Sequence, residues 1–340
     1  MSRSAARPAR AAYDALVAAI PAAASLPRIP LVREPTRVEC VSAGDTPTIR
    51  IKRDDLTATP YGGNKVRSLE LLLPVVRAGD VLLTAGGEGS THVLTTAAHA
   101  RALGATVRAY QWRHAMHPVA ERVRARSMAL CAEVHTSDTA VAALARATLA
   151  RLSGNAHWIP PGGTSPLGTL GHVAAALELA AQVSAGELPE PSRVVVPLGT
   201  GGTAAGLALG LRLAGMRSVV TAVRVAPAIV ASRRRVLRLA RRTARLLERL
   251  SGVPLPRVSP SDVEVVRWAY GGAYGRPLPA AAGAASFLRE HTAGSIALDD
   301  TYSAKAFTVA LDLARHGTEN VLFWLTFDAR WMRSESATAG

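Results

Sequence analysis

Short apolar runs, each followed by a glycine-rich loop and a stretch of helical periodicity, recur along this chain of 340 residues. Residues 81–84 precede the loop Ala-Gly-Gly-Glu-Gly-Ser at 85–90, and residues 194–196 precede Leu-Gly-Thr-Gly-Gly-Thr at 198–203. Further strand-like runs lie at 48–52, 106–110, 157–159 and 320–325. Parallel strands connected by helices have both faces covered, so each strand is apolar along its length. The pattern predicts an α/β fold of parallel sheets flanked by helices.

The chain is long and apolar enough to form two packed lobes, because 49% of its residues are hydrophobic and 19% are charged. It has no run of 18 or more apolar residues that could span a bilayer. The arginine-bearing N-terminus lacks the apolar core and cleavage site of a signal peptide. We therefore expect a globular, cytoplasmic protein with no membrane segment.

The net charge of +15 is concentrated in residues 191–247, which contain eleven arginines and no acidic residue. Around 232–250 the periodicity predicts an amphipathic helix with a solvated basic face. Its apolar stripe is Val236, Leu239, Ala240, Thr243, Leu247 and Leu250, and its basic face is Arg234, Arg238, Arg241, Arg242, Arg245 and Arg249. Nucleic-acid-binding proteins usually add aromatic stacking residues, and only 4% of this chain is aromatic. Nucleic acid is not the expected partner, although a non-catalytic basic binding protein remains an alternative.

The cysteines and histidines do not predict a metal site. Cys40 and Cys131 are isolated in the sequence, and we expect both to be buried as small apolar side chains. The histidines at 92, 99, 114 and 117 do not form a recognised ligand set. No metal is therefore expected.

Lysine is rare in this chain, which holds 37 arginines and only three lysines, Lys52, Lys65 and Lys305. A guanidinium keeps its charge, whereas a lysine amine can lose its proton and can form an imine with an aldehyde. Each lysine is therefore a candidate for chemistry. Lys65 is the strongest candidate, since it lies in the motif Tyr-Gly-Gly-Asn-Lys-Val-Arg at 61–67.

The loop Gly-Thr-Gly-Gly-Thr at 199–203 has the form of an anion site at a helix N-terminus. It is not a nucleotide P-loop, because that motif requires Gly-Lys and the chain has no such pair. It fits part of a dinucleotide fingerprint, but no acidic residue follows before Glu248. A small phosphate is the favoured ligand, with a plain tight turn as the alternative. A small phosphate and an imine-forming lysine together indicate pyridoxal phosphate (PLP), with its aldehyde at Lys65.

A third helix is expected to open at Ser90, Thr91 and His92, after the loop Gly-Gly-Glu-Gly at 86–89. The free N–H groups of such a helix start suit a substrate carboxylate. Ordinary helix capping by Ser90 explains the same residues nearly as well.

At these residues the sequence resembles the D-cysteine desulfhydrase and 1-aminocyclopropane-1-carboxylate (ACC) deaminase family of tryptophan-synthase-β-like (type II) PLP enzymes. The likeness covers about residues 27–328 and rests on motifs in the family's order. They are Lys-Arg-Asp-Asp-Leu-Thr at 52–57 with Gly-Gly-Asn-Lys at 62–65, Pro-Gly-Gly-Thr-Ser-Pro-Leu-Gly-Thr-Leu-Gly at 161–171, the loop at 199–206, and Asp-Asp-Thr-Tyr-Ser-Ala-Lys-Ala at 299–306.

The resemblance implies a homodimer whose protomers have two lobes, with PLP in the cleft between them and a small amino acid as substrate. Residues 1–66 and 164–330 would form the large PLP-binding domain, residues 67–163 the small domain, and residues 331–340 a tail. The catalytic residues implied are Lys65, Ser90, Tyr274 and Tyr302. The cofactor-binding residues implied are Asn64, Lys65, Thr91, Gly199, Thr200, Gly201, Gly202, Thr203, Ser303 and Thr326.

Two of these positions bear on the reaction. ACC deaminases have Glu after the second tyrosine and Leu near the final strand, whereas the desulfhydrase type has Ser or Thr, and here the residues are Ser303 and Thr326. A hydroxyl beside the pyridine nitrogen leaves it neutral, which suits prompt loss of a β leaving group. The expected reaction is removal of the α-proton by Lys65 and β-elimination to a 2-oxo acid and ammonia. ACC deamination and β-replacement remain alternatives.

The sequence also departs from the family pattern. The family's Gln-Ser-Asn is here Gly-Ser-Thr at 89–91, and its His-Thr-Gly-Gly is here Leu-Thr-Phe-Asp at 325–328. Two amides expected near cofactor and substrate are therefore replaced. These changes indicate a larger or differently shaped substrate, and its identity and chirality stay open.

Overall fold

The structure is a computed structural model that describes residues 11–32, 35–43 and 46–332. In this part of the chain, two sheets pack against helices. The strands are β1 (Val38–Ala43), β2 (Thr46–Arg53), β3 (Val81–Gly87), β4 (Thr106–Trp112), β5 (Glu133–Ser137), β6 (His157–Ile159), β7 (Arg193–Leu198), β8 (Val219–Arg224), β9 (Val263–Val266) and β10 (Val321–Leu325). The helices are α1 (Ala12–Ala19), α2 (Lys65–Leu72), α3 (Thr91–Ala102), α4 (Pro118–Leu130), α5 (Ala140–Leu152), α6 (Pro166–Ser184), α7 (Gly202–Leu213), α8 (Arg233–Ser251), α9 (Pro279–His291) and α10 (Ser303–Arg315).

The larger sheet has six strands in the order β1-β2-β10-β7-β8-β9. All neighbouring pairs are parallel except β1 and β2, which are antiparallel. Both faces are buried: Val194 and Val196 belong to one apolar cluster with residues of α6 and α7, and Val195 belongs to another with residues of α10. Successive side chains of a strand point to opposite faces, which explains why β7 is apolar without interruption.

The smaller sheet has the order β5-β4-β3-β6, and its strands are all parallel. Leu82 packs in a cluster with side chains of α3, while Leu83 packs in a different cluster with Ala147 of α5. This sheet is therefore also covered on two sides. Its strands all lie between residues 81 and 159, and the domain boundaries themselves stay a prediction.

The α/β fold class with parallel sheets is confirmed, and each strand expected from the sequence is present. Four strands, β1, β5, β8 and β9, were not expected. The edge strands β1, β5 and β9 lack the uninterrupted apolar runs of the central strands, and β1 adds an antiparallel pair. The expectation of two buried cysteines was wrong, because Cys40 is exposed on the edge strand β1 and Cys131 is half-buried.

The amphipathic helix predicted around 232–250 is α8. Its apolar stripe is buried or half-buried, and the six arginines assigned to its basic face are all exposed. No helix in the described ranges is both long and apolar enough to cross a membrane. At the C-terminal end, Trp331 and Met332 pack in an apolar cluster with Tyr61 and Phe327, so the packed chain extends beyond residue 330. Residues 333–340 of the expected tail lie outside the described residues.

Candidate functional site

A cavity of about 420 Å³ lies where strands of both sheets reach their carboxyl ends. It is lined by Ala85, Gly86 and Gly87 of β3, by residues that follow β6 and β7, and by Thr326, directly after β10. Ligands of open α/β folds bind at this edge of a sheet, because the loops that follow the strands converge there. The cavity is therefore the candidate active site.

Lys65 lines this cavity at the first position of α2. Its amine makes no hydrogen bond or ion pair with the described residues. Burial lowers the pKa of the Lys65 amine to about 8, because the charged form loses its hydration. A substantial fraction of this amine is therefore neutral near physiological pH, as a base or nucleophile requires.

The other two lysines do not reach the cavity. The Lys52 amine is fully buried and lies 2.6 Å from a carboxylate oxygen of Glu178. The Lys305 amine donates a hydrogen bond of 2.8 Å to the backbone carbonyl of Tyr270. Of the three lysines that the sequence singled out, Lys65 alone is placed for chemistry at this site.

The glycines before Lys65 let its loop pack closely against two neighbouring segments. A Cβ at Gly62 would lie 2.2 Å from the carbonyl oxygen of Asp55, and a Cβ at Gly63 would lie 2.8 Å from that of Thr326. Gly63 also has a φ of +99°, which other residues rarely adopt. The Gly-Gly pair is therefore required by the position of the loop, independently of any ligand.

A buried acid holds the same loop from the other side. Asp328 is 1% exposed, and its carboxylate accepts a 2.8 Å hydrogen bond from the backbone N–H of Gly62 and pairs with Arg330 at 2.9 Å. Arg330 in turn donates to the backbone carbonyls of Asp55 and Ala58. The departure from the family pattern at 327–328 thus supplies a carboxylate that anchors the lysine loop.

A buried ion network fixes α2 just beyond Lys65. The guanidinium of Arg67 donates to Asp54 at 2.7 Å and to Glu178 at 3.2 Å, and Glu178 also pairs with Lys52. The indole N–H of Trp324 donates to Asp54 at 2.7 Å. These charges are paired and hydrogen-bonded, as burial demands.

The glycine-rich loop after β7 leads directly into α7. Gly201 has a φ of +95°, and no side chain of the described residues caps the N-terminus of the helix. Gly199 and Thr200 line the cavity, and the hydroxyl of Thr200 is hydrogen-bonded to that of Thr164 at 2.5 Å. Free N–H groups and the helix dipole favour an anion at this point.

The remaining residues of this loop lie behind the residues that line the cavity. Gly201, Gly202 and Thr203 do not line the cavity. Thr203 accepts a 2.8 Å hydrogen bond from the side-chain amide of Asn64, which does line it. The predicted phosphate loop and the predicted lysine loop are therefore in direct contact.

Ser90, Tyr274 and Tyr302 also line the cavity and are linked to one another. The hydroxyls of Tyr274 and Tyr302 share a hydrogen bond, and the Ser90 hydroxyl is hydrogen-bonded to Tyr302. Ser90 precedes α3 without capping it, so the capping alternative is not what the structure shows. Burial raises the pKa of Tyr274 to about 12 and that of Tyr302 well above its usual value, so both phenols keep their protons at neutral pH.

His92 and Thr91 complete this part of the lining. His92 Nε2 is 2.8 Å from the hydroxyl of Thr84, and its Nδ1 is buried without a partner among the described residues. Burial, and then the nearby charge of Lys65, lower the pKa of His92 to about 3, so the imidazole is neutral. The sequence placed His92 at a helix start but did not mark it as a site residue.

Ser303 and Thr326 have different surroundings. Thr326 lines the cavity, whereas Ser303 is fully buried and does not. Its hydroxyl donates to the carboxylate of Asp299 at 2.5 Å in the turn that begins α10. The hydroxyl at 303 is thus committed to Asp299, and its contact with a cofactor stays a prediction. Asp299 itself lines the cavity, which the sequence did not indicate.

The fold and the cavity together define an enzyme site for a phosphate-bearing aldehyde, with an unpaired lysine and an uncapped helix N-terminus at one cavity. The chain belongs to the pyridoxal-phosphate dependent enzyme family, whose model matches residues 28–326. Dependence on pyridoxal phosphate, predicted from the lysine and the glycine loop, is confirmed by this membership.

Similar proteins agree with the resemblance seen in the sequence. The nocardicin C-9′ epimerase of Nocardia uniformis subsp. tsuyamanensis is 36% identical over 321 residues, covering 90% of this chain and 94% of the relative. A D-cysteine desulfhydrase of Yersinia enterocolitica is 32% identical over 305 residues, covering 85% and 88%. The crystal structure of an ACC deaminase homologue matches with a TM-score of 0.76 at 27% identity, covering 98% of this chain and 99% of the other.

The residues at the cavity fit pyridoxal phosphate. The amine of Lys65 and Nδ1 of His92 lack partners among the described residues, and the N-terminus of α7 is open to an anion. Lys65 would hold the aldehyde, and the loop at 199–203 would hold the phosphate. When bound, the cofactor supplies an aldehyde that links to the substrate's amino group and a ring that accepts electrons from its α-carbon.

Proposed function

We propose that this protein removes the α-proton of an amino acid with the Lys65 amine and eliminates the β substituent, after which water hydrolyses the released enamine to a 2-oxo acid and ammonia. The observation on which this rests is the coexistence, in one cavity, of an unpaired lysine of lowered pKa and two protonated tyrosines. The lysine is suited to take a proton, and the tyrosines are suited to give one.

Lys65 acts as the base in this proposal. Its amine has no hydrogen-bond partner among the described residues to compete for its lone pair, and its pKa of about 8 leaves the neutral form accessible. The ties of its loop to Thr326 and Asp328 limit how far the amine can move. A fixed base close to the reacting proton saves the entropy of positioning it.

In this proposal the tyrosine pair acts as proton donor, and Ser90 contacts the substrate. Because both phenols are protonated, neither competes with Lys65 as a base. A phenol proton can be given to a departing β substituent, and the shared hydrogen bond lets one phenol take up charge from the other. The Ser90 hydroxyl, together with the start of α3, is the proposed contact for the substrate carboxylate.

Epimerisation at the α-carbon is the second candidate. Its support is the relative named nocardicin C-9′ epimerase, which is matched over 94% of its length. Inversion needs a proton acceptor and a separate donor, and Lys65 and the tyrosine pair are two such groups in one cavity. In this alternative the phenol proton goes to the α-carbon and no β substituent leaves.

Both candidates begin with α-proton removal, so exchange in D₂O tests the shared step. PLP-loaded protein is incubated with D- and L-cysteine, D-serine, L-cysteate and ACC, and α-deuterium, pyruvate, 2-oxobutyrate and chiral inversion are measured. We expect Lys65→Ala to abolish exchange and Tyr302→Phe to keep exchange but slow product formation by about 100-fold. Lys305→Arg, outside the cavity, is the control and should behave like the parent protein.

The products separate the candidates. Pyruvate from cysteine or serine supports β-elimination, whereas inversion with deuterium incorporation and no oxo acid supports epimerisation. Release of 2-oxobutyrate from ACC would instead indicate ring opening. Exchange that persists in Lys65→Ala would contradict Lys65 as the base.

We also propose that the protein is a cytoplasmic homodimer with the domain boundaries given by the resemblance. Support for self-association comes from α5, on which Val141, Leu149 and Leu152 are 79%, 66% and 79% exposed. Exposed apolar side chains on one helix favour burial against another surface. Light scattering on the purified protein tests the dimer, and Leu152→Glu should shift it towards monomer.

A further inference from the structure

The cavity extends past the residues that the proposed chemistry uses. A second part of its lining comes from the end of β4, from α5, from the segment between β8 and α8, and from the first turn of α8. These outer-lining residues include Trp112, Leu144, Ile229, Val230 and Arg235. None of them is predicted to hold the cofactor or to act on the α-carbon.

The apolar members of the outer lining are incompletely covered. Ile229 is 81% exposed and Leu144 is 37% exposed, although both border the same cavity. An isolated exposed apolar side chain is common in soluble proteins. Several that border one concave site are the usual wall of a ligand pocket. An apolar ligand group here would remove them from water.

Arg235 is the charged member of the outer lining. Its guanidinium is exposed and makes no ion pair or hydrogen bond with the described residues. The first turn of α8 contains no acidic residue, so nothing local offsets this charge next to the positive end of the helix dipole. A ligand anion at Arg235 would relieve that unfavourable arrangement.

We propose that the outer lining binds the far end of the substrate's side chain, and that the substrate is an amino acid with an aromatic or aliphatic stem ending in a carboxylate. The stem would lie along Trp112, Leu144 and Ile229, and the carboxylate would pair with Arg235. The proposal rests on the proposed function, since the substrate's amino end must reach Lys65.

A substrate as small as cysteine would use only the inner part of this cavity. It would leave Arg235 unpaired and the apolar wall open to water. The replacement of the family's Gln-Ser-Asn by Gly-Ser-Thr at 89–91 also points away from the small family substrates. Specificity in this protein therefore lies at the outer lining.

The test compares two probes that differ in a single distal charge. S-(4-carboxybenzyl)cysteine and S-benzylcysteine, each as D and L forms, are offered to PLP-loaded protein in D₂O, and α-proton exchange is followed by NMR. We expect the carboxylated probe to have a KM about fivefold lower, with little change in kcat, because an ion pair with an exposed arginine is worth up to about 1 kcal/mol. Arg235→Gln should abolish the preference while leaving exchange of S-benzylcysteine unchanged.

Arg234→Gln is the matched control. Arg234 is the neighbouring exposed arginine of the same helical turn, and it does not line the cavity. It should keep the full preference for the carboxylated probe. Ile229→Ser should raise KM for both probes alike. Thermal melting checks that each variant is folded, and Arg235→Gln should melt no lower than the parent because it removes a cation from the helix start.

The outcomes separate the subsite from the reaction. Exchange of cysteine with no exchange of either benzyl probe, equal KM values for the two probes, or an unaltered preference in Arg235→Gln would each overturn the subsite and leave the proposed function standing. Absence of exchange with every amino acid, cysteine included, would overturn both.

Discussion

The side-chain amide of Asn64 donates a hydrogen bond of 2.8 Å to the hydroxyl of Thr203. Asn64 directly precedes Lys65, and Thr203 lies in the first turn of α7, so the bond joins the lysine loop to the glycine-rich loop. Both side chains are buried, at 6% and 5% exposed. One hydrogen bond thus fixes the spacing between the groups proposed to hold the two ends of the cofactor.

This relationship predicts energetic coupling in cofactor binding. We expect Asn64→Ala and Thr203→Val each to weaken PLP binding. The double variant should lose less binding free energy than the two single variants added together, with a coupling energy of about 1 kcal/mol. The dissociation constant of PLP from absorbance titration measures each corner of the cycle. Thr148→Val, an exposed threonine of α5, is the matched control and should leave PLP binding unchanged. Strictly additive effects would show that the bond does not couple the two loops.

Glycine has two different roles in the loop after β7, one in the backbone conformation and one in leaving room for the cofactor. Gly201 has a φ of +95°, so Gly201→Ala should cost about 1–2 kcal/mol of folding stability. Gly199 lines the cavity, and a Cβ there meets no atom of the described residues within 4 Å. Gly199→Ala should therefore leave the free energy of unfolding unchanged and weaken PLP binding, because the methyl group enters the cofactor's space.

Urea unfolding of the apoprotein and PLP titration measure the two effects independently. Each variant serves as the control for the other, since one glycine is required by its backbone and the other by its closeness to the ligand. Loss of apoprotein stability in Gly199→Ala, or full stability in Gly201→Ala, would contradict this division.

Much of the fold and part of the site could be predicted because their signals are local. An apolar strand, a glycine loop and a helix start are consecutive in sequence, so β7 and the loop at 199–203 could be recognised without knowing the rest of the chain. Lys65 could be recognised because a lysine in a chain of arginines points to chemistry. The edge strands β1, β5 and β9 could not be recognised in this way, because half-exposed edges carry no continuous apolar pattern.

The rest of the site depends on contacts between distant parts of the chain. The carboxylate of Asp328 accepts a hydrogen bond from the backbone N–H of Gly62, which lies 266 positions earlier in the sequence. Nothing near Asp328 in the sequence indicates that partner. Arg235 was one arginine among many, and only the position of α8 beside the cavity distinguishes it from Arg234. Lys52 and Lys305 shared with Lys65 the rarity of lysine in this chain, and only the structure shows that both are buried and paired outside the cavity.

The lowered pKa of Lys65 predicts its reactivity with pH. In the apoprotein, acetylation of Lys65 should be half-maximal near pH 8, because burial lowers the pKa of its amine to about 8 and the reactive form is neutral. Only three lysines exist, so peptide mass spectrometry assigns each modification without ambiguity. Added PLP should protect Lys65 fully.

Lys305 is the internal control for this experiment. Burial also lowers the pKa of Lys305 to about 8, but its side chain is fully buried, so its acetylation should be much slower than that of Lys65. Lys305 lies outside the cavity, and PLP should not protect it. Protection of both lysines, or of Lys305 alone, would place the aldehyde site elsewhere.

Glu178 predicts how stability depends on acid. Burial raises the pKa of its carboxyl, but the charges of Arg67 and Lys52 outweigh burial and hold that pKa at about 2. An unfolded glutamate titrates near about 4.3. As pH falls from about 4.3 to about 2, the unfolded chain therefore takes up a proton that the folded chain does not, and about 3 kcal/mol of stability is lost.

Replacing Glu178 by Gln tests this, because the variant has no carboxyl to titrate at that position. At pH 7 the variant should be about 3 kcal/mol less stable, since the buried charges of Arg67 and Lys52 lose an anionic partner. The difference between the variant and the parent in free energy of unfolding should shrink as pH falls below 4. Urea unfolding at pH 7, 4 and 3 measures that difference. Glu133→Gln removes an exposed pair with Arg108 and should change stability by less than about 1 kcal/mol at each pH. A parent and a Glu178→Gln variant that lose stability in parallel on acidification would show that the network with Arg67 and Lys52 does not depress this carboxyl's pKa.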